Sequence, residues 1–567
     1  MGPQWTTSDF LGKLGILMRY TFQLVAVLVV AVLMAAQAPS ANGRRFYDDD
    51  PLQHEPDSQD ASKTQEWDIE LLVDLAINLF ATPARDDPAQ RAGNVNTIDE
   101  VPDSNWFTNR VGARPVDVAA LARGPLTGSG PAAGRWSVIA PKKAGTAPGF
   151  TIRDDAGDVW FVSFDSPGHP EAATAAILVA NKIFWGLGYW QVEHHLITID
   201  RDRLDIAAKA SFTPLSGKSR PMRIGDLDEV FARAHRSPDG SYRAVAGRGV
   251  AGRVIGGFRF HGTRPDDPND IVPHQHRREL RALKVFGAWT NLVDLKAGNT
   301  LDTVVAAGSR NVVRHYLQDV GSTFGSGANG PREYDEGWEH LVELDLVRKR
   351  FFRFGFPWLP WQHAEYTPNH AVGRFEGEVF DPLTWKPRVP VAALLHARAD
   401  DNFWAARRVA AFTDDMIDAV VKTGAYSDPA DERLLATVLR QRRDKIARAY
   451  FTALNPLVNF SLTTAGRLSF NNAAVDAAVA DPPRDGYSIT WSRFNNGDGT
   501  TAAIGAVSVA AGAEAVAPGS LPGAPGAFIK IAISARGTPH AAWTRAVDVY
   551  FRRARDGWAL VGVERMP

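Results

Sequence analysis

The hydrophobic period of this chain changes twice, and that order constrains the fold more than any other feature. In residues 135–165 the runs WSVIAP, GFTIRD and DVWFVSFD are short and β-like, separated by KKAGTAP and DDAG. Alternation sends every second side chain to one face of an extended strand, which predicts a three-stranded meander. EAATAAILVANKIFW, between Pro170 and the glycines Gly186 and Gly188, reads as a helix, and HHLITID adds a strand. From about residue 273 the spacing turns helical: HQHRRELRALKVFGAWTNLVD carries Leu280, Leu283, Val285, Phe286 and Trp289. VVRHYLQDVGS interrupts this block as a β-type run, and 401–412, 414–422 and 431–453 read as amphipathic helices. Beyond Asn455-Pro456, YSITWSRF, AFIKIAISA, AVDVYFRRA and GWALVGVE alternate again between turn formers, as in a small β sandwich. The class is therefore α+β: a β-rich block carrying one helix, a helical block, and a C-terminal all-β module.

Composition narrows what such a chain does. With 567 residues, 63 basic against 64 acidic side chains and a net charge of −1, it has no basic field, so no nucleic-acid partner is expected. It contains no cysteine, which excludes a disulfide scaffold and a cysteine-ligated metal fold. Near the N-terminus Lys13 and Arg19 precede an apolar run at 22–36, followed by Gln37, Ala38, Pro39, Ser40, Ala41 and Asn42. A basic stretch, an apolar core and small residues predict an export signal over 1–43, or an uncleaved anchor that tethers the protein to a membrane. The expected location is the periplasm or cell envelope. Residues 44–68, rich in Asp, Gln, Ser and Pro, read as a solvated stalk. NVNTIDEVPDSNWFTNR at 94–110 reads as a wrapping segment that inserts Trp106 and Phe107, so 44–128 is expected to be stalk and wrap.

The segment with the most chemistry is VDLKAGN at 293–299, followed by Gln318-Asp319-Val320-Gly321. Phosphoryl transfer needs a carboxylate to orient the attacking hydroxyl and oxygen ligands for magnesium on the phosphates. Asp294 suits the first role, Asn299 and Asp319 the second, and Lys296 the neutralisation of the transferring group. Asp294-Leu295-Lys296 with Asn299 five positions after the aspartate resembles the D-L-K-x-x-N loop of protein kinases, and Asp319-Val320-Gly321 resembles D-F-G. The absence of His-Arg before Asp294 is closer to atypical kinases, such as the HipA-like and secretory-pathway families. As a whole the chain is also similar to exported bacterial proteins to which no activity is assigned.

The resemblance implies a bilobal kinase-like domain. Residues 129–215 form the β-rich small lobe, 216–455 the helical lobe and 456–567 the β module. Its cofactor is Mg or Mn with a nucleoside triphosphate, and its partner a phosphoacceptor. KKAGTAPG lies where a phosphate-covering loop is expected, with Lys142, Lys143, Gly145 and Gly149 as cofactor-binding candidates. The template also implies a lysine near position 163, where Ser163 stands, and a mid-helix glutamate, where Ala175, Ala176, Ile177 and Leu178 stand. Glu171 is the only acid of that helix. A pseudokinase, or a non-catalytic envelope scaffold holding a protein or glycan, is the alternative. Elsewhere, His274 and His276 beside Arg277, Arg278 and Glu279 read as a solvated helix terminus, and Gly325-Ser326-Gly327 as a flexible loop. Phe351, Phe352, Phe354, Phe356, Trp358 and Trp361 are expected to pack on the helical block.

Overall fold

A computed structural model describes residues 43–565 except 143–146, 215–216, 353–358 and 368–370. The apolar run at 22–36, Lys143, Gly145, Phe354, Phe356 and Trp358 lie outside the described residues. Among the described residues no helix is long and apolar enough to cross a membrane.

The meander forms β1 (Trp136–Pro141), β2 (Gly149–Arg153) and β3 (Val159–Phe164). With β4 (His194–Ile199), β5 (Leu204–Ile206) and β6 (Tyr242–Arg248) they make a six-stranded mixed sheet in the order β4-β6-β3-β2-β1-β5. Every pairing is antiparallel except β1 with β5. Val138, Phe150, Ile152, Trp160, Val162 and Phe164 point to one face and bury themselves under the helix Ile224–Ala232, through Leu227, Val230 and Phe231. Phe161, on the other pleat, is exposed.

Helix α1 (Ala172–Leu187) is buried on nearly every side. A helix apolar all round needs partners all round. It packs against the sheet and against the helix Val118–Arg123 and the later helix Asp414–Lys422. Asp165, just past β3, starts it: Oδ1 accepts the N–H groups of Ala173 and Thr174 at 2.9 and 2.8 Å, and Oδ2 accepts the Thr174 hydroxyl at 2.7 Å. Gly188 ends it at φ 125°, where an added Cβ would lie 2.2 Å from Phe107. The aromatics of the wrapping segment, Trp106 and Phe107, are buried there.

The helical block contains α2 (Leu283–Thr290), the hairpin β7 (Leu301–Ala307) and β8 (Arg310–Tyr316), and α3 (Leu344–Phe352). It is completed by α4 (Ala399–Ala410), α5 (Asp414–Lys422) and α6 (Pro429–Phe451). The C-terminal region is all-β, with a three-stranded antiparallel sheet of Leu457–Leu462, Arg467–Asn472 and Ala515–Val516. Its five-stranded antiparallel sheet runs in the order Thr501–Val509, Tyr487–Phe494, Phe528–Ala535, Val547–Arg553, Trp558–Arg565. This region does not stand apart. Ile489, Trp491, Ile531 and Val549 belong to the same buried cluster as Phe403, Leu439 and Phe451, and Trp543 Nε1 donates to the Phe451 carbonyl at 3.2 Å.

Three expectations are corrected here. Residues 44–68 are not a free stalk: Phe46 is buried among Phe494, Phe528 and Tyr550, and the N–H groups of Ala61 and Trp67 donate to Asn311 and Ile255 at 2.9 Å. Average composition conceals the few apolar residues, of which Phe46 and Ala61 are buried. The side chains of Phe351 and Phe352 are exposed, 78% and 74%, rather than packed on the helical block. Finally, His274, His276, Arg277, Arg278, Glu279 and Arg281 are all buried, not a solvated terminus.

Arg278 meets Asp99 at 2.8 Å, Asp401 at 2.9 Å and Asp400 at 3.1 Å. Arg281 meets Asp401 at 2.9 Å, and Arg277 meets Glu55 at 2.9 Å and Glu279 at 3.3 Å. Near the C-terminus Arg565 joins Asp99 at 3.1 Å. Removing one partner of such a set leaves charges stranded away from water. Arg278→Leu therefore costs about 3–5 kcal/mol, read as a drop in the urea midpoint.

Asp99 carries a pH signature. Burial raises its pKa, but Arg278, Arg565 and Arg91 outweigh it and hold the value at about 2. The folded value lies below the unfolded one of about 3.9, so this stabilisation is present above that pH and is lost as pH falls toward 2. Acid titration of stability should show a loss over that window in the wild type and a shallower one in Asp99→Asn.

Candidate functional site

α2 ends at Asn291, whose φ of 54° turns the chain into the 293–299 loop. Val293, Leu295 and Ala297 are buried, so Asp294 and Lys296 are left facing the opposite way. Lys296 Nζ donates to Asp294 Oδ2 at 2.9 Å. A short 3-10 turn, Ala297–Asn299, then brings the Asn299 amide back to donate to the Asp294 carbonyl at 2.7 Å. The Asn299 carbonyl in turn accepts the N–H groups of both Gln318 and Asp319 at 3.0 Å. Two backbone bonds thus tie the D-L-K-x-x-N loop to the D-V-G segment. Asp319 Oδ1 accepts the Gly321 N–H at 3.0 Å, and Val320 is buried. Gly321 lies against α1: a Cβ there would sit 2.8 Å from Ile177 Cγ1.

The sheet contributes Lys142. Its Nζ lies 3.2 Å from Ser163 Oγ, on the strand where the template implies a lysine. The residue is exposed, yet its amine is hemmed in: burial lowers its pKa, and the nearby charge of Asp319 opposes the shift. Asp319, Asn299, Asp294 and Lys296 therefore form one hydrogen-bonded set, and Lys142 approaches it from the sheet beside Ser163. Gly149 belongs to the sheet; an added Cβ would lie 2.2 Å from the Val162 carbonyl oxygen, so β2–β3 packing accounts for it. Lys143 and Gly145 lie outside the described residues. Glu171 sends its carboxylate elsewhere, accepting the Ser427 N–H at 3.0 Å.

Three residues that sequence reasoning missed complete the surroundings of Asp294. Arg332 contacts Glu336 at 3.5 Å, Arg388 contacts Glu336 at 3.3 Å, and the Arg388 N–H donates to the Val293 carbonyl at 2.9 Å. Burial raises the Asp294 pKa, but Lys296 and then Arg332 pull it below the ordinary carboxylate range. Glu336 moves the other way, because its burial outweighs the two arginines and Asp335 and Asp294 add like charge. No local motif announces these residues, since they reach Asp294 from 38 to 94 positions along the chain. Gly325-Ser326-Gly327, expected as a flexible loop, is buried and crosses residues 373–374 closely; a Cβ on Gly325 would lie 2.1 Å from the Arg374 oxygen.

Among the described residues no three or more His, Asp or Glu gather as a ready metal cage. Magnesium bound through substrate phosphates needs less, often one or two protein oxygens beside phosphate and water. Asp319 and Asn299 fit that smaller requirement. Asp319 is exposed, and the Asn299 N–H is already engaged, which leaves its amide oxygen as the free acceptor.

No family model matches the chain, and no curated protein matches it. Solved structures that align with it include the Golgi casein kinase and the Golgi casein kinase with Mn and ADP bound. Each covers 70% of this chain at 10% identity, over 96% and 95% of its own length, with TM-scores of 0.26 and 0.28. A likeness at this level leaves the reading of the site to its own geometry.

The seating of the D-V-G segment on α1 is testable. Gly321→Ala should destabilise the protein by about 1–3 kcal/mol, the usual range for an overpacked contact. Ile177→Ala in the same chain should return part of that loss, measured as a coupling in a double-mutant cycle.

Proposed function

We propose that this protein is a kinase-like phosphotransferase that uses a nucleoside triphosphate with Mg or Mn. The observation that carries this reading is the bonded path from Asp294 through Asn299 to Asp319. In this reading the six-stranded sheet is the small lobe, the helical block is the large one, and the site lies where α1 and the sheet meet that block.

Phosphoryl transfer asks a protein chiefly for position and charge. Asp294 remains ionised at neutral pH, because Lys296 and Arg332 outweigh its burial, so it can orient an acceptor hydroxyl and take its proton. Lys296, held 2.9 Å from Asp294, offers positive charge beside the group being transferred. Asn299 and Asp319 would hold the divalent ion, which when bound supplies neutralisation of the phosphate oxygens. Lys142 stands in for the strand-borne lysine: it approaches from the preceding loop and is positioned by Ser163 in place of a helix glutamate.

The acceptor belongs to the cell envelope in this proposal, and the basic and apolar N-terminal pattern supports export with a possible tether to the membrane. Melting the wild type with millimolar ATP and Mn or Mg tests the reading, since a ligand of the native state must stabilise it. A rise of several degrees that disappears in Asp319→Ala is expected, together with a loss of at least about a hundredfold in phosphoryl transfer for Asp294→Asn. No shift in the wild type overturns nucleotide use and leaves the non-catalytic scaffold. A shift with no transfer leaves the pseudokinase.

A further inference from the structure

A cavity among the described residues is separate from the Asp294–Asp319 set. It has a volume of about 580 Å³, which is in the range of small-molecule sites. Trp338, Trp361, Trp385, Leu346, Leu359 and Val391 supply most of its apolar wall. Leu383 and Leu395 also line it while remaining 60% and 50% exposed, so it opens to solvent. From α2 it is lined by Lys284, and every other residue of that helix is buried. Gly287, one turn on and on the same helix face, makes room for Trp385; a Cβ there would lie 2.6 Å from the indole.

Most polar groups of the lining have protein partners. Lys386 donates to both carboxylate oxygens of Glu343 at 2.8 Å. Glu339 accepts from Trp361 Nε1 at 2.7 Å and from Arg350 at 2.7 and 2.8 Å. His340 Nδ1 lies 2.7 Å from the Pro387 carbonyl oxygen, Trp385 Nε1 donates to Asn291 at 2.9 Å, and the Thr384 hydroxyl donates to the Asp381 carbonyl at 3.2 Å. Lys284 is the exception: it has no hydrogen bond or ion pair among the described residues. Burial alone acts on its amine, lowering the pKa. A half-buried cation without a partner, set among three indoles, is costly unless something else supplies the counter-charge.

We propose that this cavity binds a small amphipathic anion, a flat apolar body of one or two rings carrying a single acidic group that pairs with Lys284. The indoles cover the apolar body, and the amine fixes which end enters. The site is independent of the phosphotransferase reading, because none of its lining residues belongs to the Asp294–Asp319 set.

The full chain can be titrated with 8-anilinonaphthalene-1-sulfonate, an aromatic monoanion, and with N-phenyl-1-naphthylamine, its uncharged counterpart, following fluorescence. The sulfonate should bind the wild type saturably, weaken tenfold or more in Lys284→Met and in Lys284→Gln, and recover to within about threefold in Lys284→Arg. The uncharged probe should bind all four proteins alike, which also reports that the cavity has survived each substitution. Equal affinity of the sulfonate for the wild type and Lys284→Met overturns the proposal. So does loss of sulfonate binding in Phe351→Ser/Phe352→Ser, which would assign the probe to the exposed face of α3.

Discussion

Arg277, Arg278 and Arg281 lie side by side out of reach of solvent, and the molecule is arranged around the acids that neutralise them. A buried guanidinium without a partner costs several kcal/mol, so the elements bringing carboxylates must arrive together. Glu55 and Asp99 come from the N-terminal segment and Asp400 and Asp401 from the first turn of α4. Asp99 binds Arg565 as well, nearly five hundred residues later, so the first and last described parts of the chain meet at the same charge centre. A half-assembled cluster is less stable than none. That penalises partly folded states and couples the wrapping segment, the helical block and the last strand.

This constraint bears on the site through α2. The buried arginines at 277–281 lead directly into that helix, and its far end feeds the 293–299 loop. Asp294 therefore hangs from an element whose start is fixed by ionic contacts and whose body is fixed by Trp289 and Trp385. The other half of the site, Asp319, is set by the Asn299 carbonyl and by Gly321 against α1. α1 is positioned in turn by Asp165 at the end of β3, one strand position from the Ser163 and Phe164 pair. Sheet, α1 and loop thus share a short path of contacts, and a change in the tilt of α1 would reach Lys142 and Asp319 together.

Much of the secondary structure was legible because period is local information. The meander, α1, the three helices at 399–451 and the C-terminal strands all follow from spacing that a window of ten residues contains. The segments misread share a different property. HQHRREL looks like a hydrated terminus because arginine and histidine usually are exposed, and its burial depends on acids brought from 55, 99, 400 and 401 as well as on Asp270 and Glu279 nearby. Residues 44–68 look solvated because their composition is polar, while Phe46, together with hydrogen bonds to Asn496 and from Arg552, seats their start on the last sheet. The site divides in the same way. Asp294, Lys296 and Asn299 form a local motif and Asp319 stands at a recognisable distance, whereas Arg332, Glu336 and Arg388 converge only in three dimensions.

If the proposed phosphotransferase reading holds, Ser163 at the position of the template's strand lysine separates a charge requirement from a positional one. A phosphate-binding cation must reach a volume of space, and the four-carbon stem of a lysine can enter that volume from more than one backbone position. In the proposed reading Lys142 would do so from just past β1, where its amine lies 3.2 Å from the Ser163 hydroxyl. The cost is the loss of a helix carboxylate to hold it, and Asp319 is the acid whose charge it feels instead. Under the proposed function the two would be coupled: an ion engaging Asp319 would offset the negative charge that opposes the lowering of the Lys142 pKa. The phosphates accompanying such an ion would supply that charge again, so metal and phosphate are favoured together over either one alone.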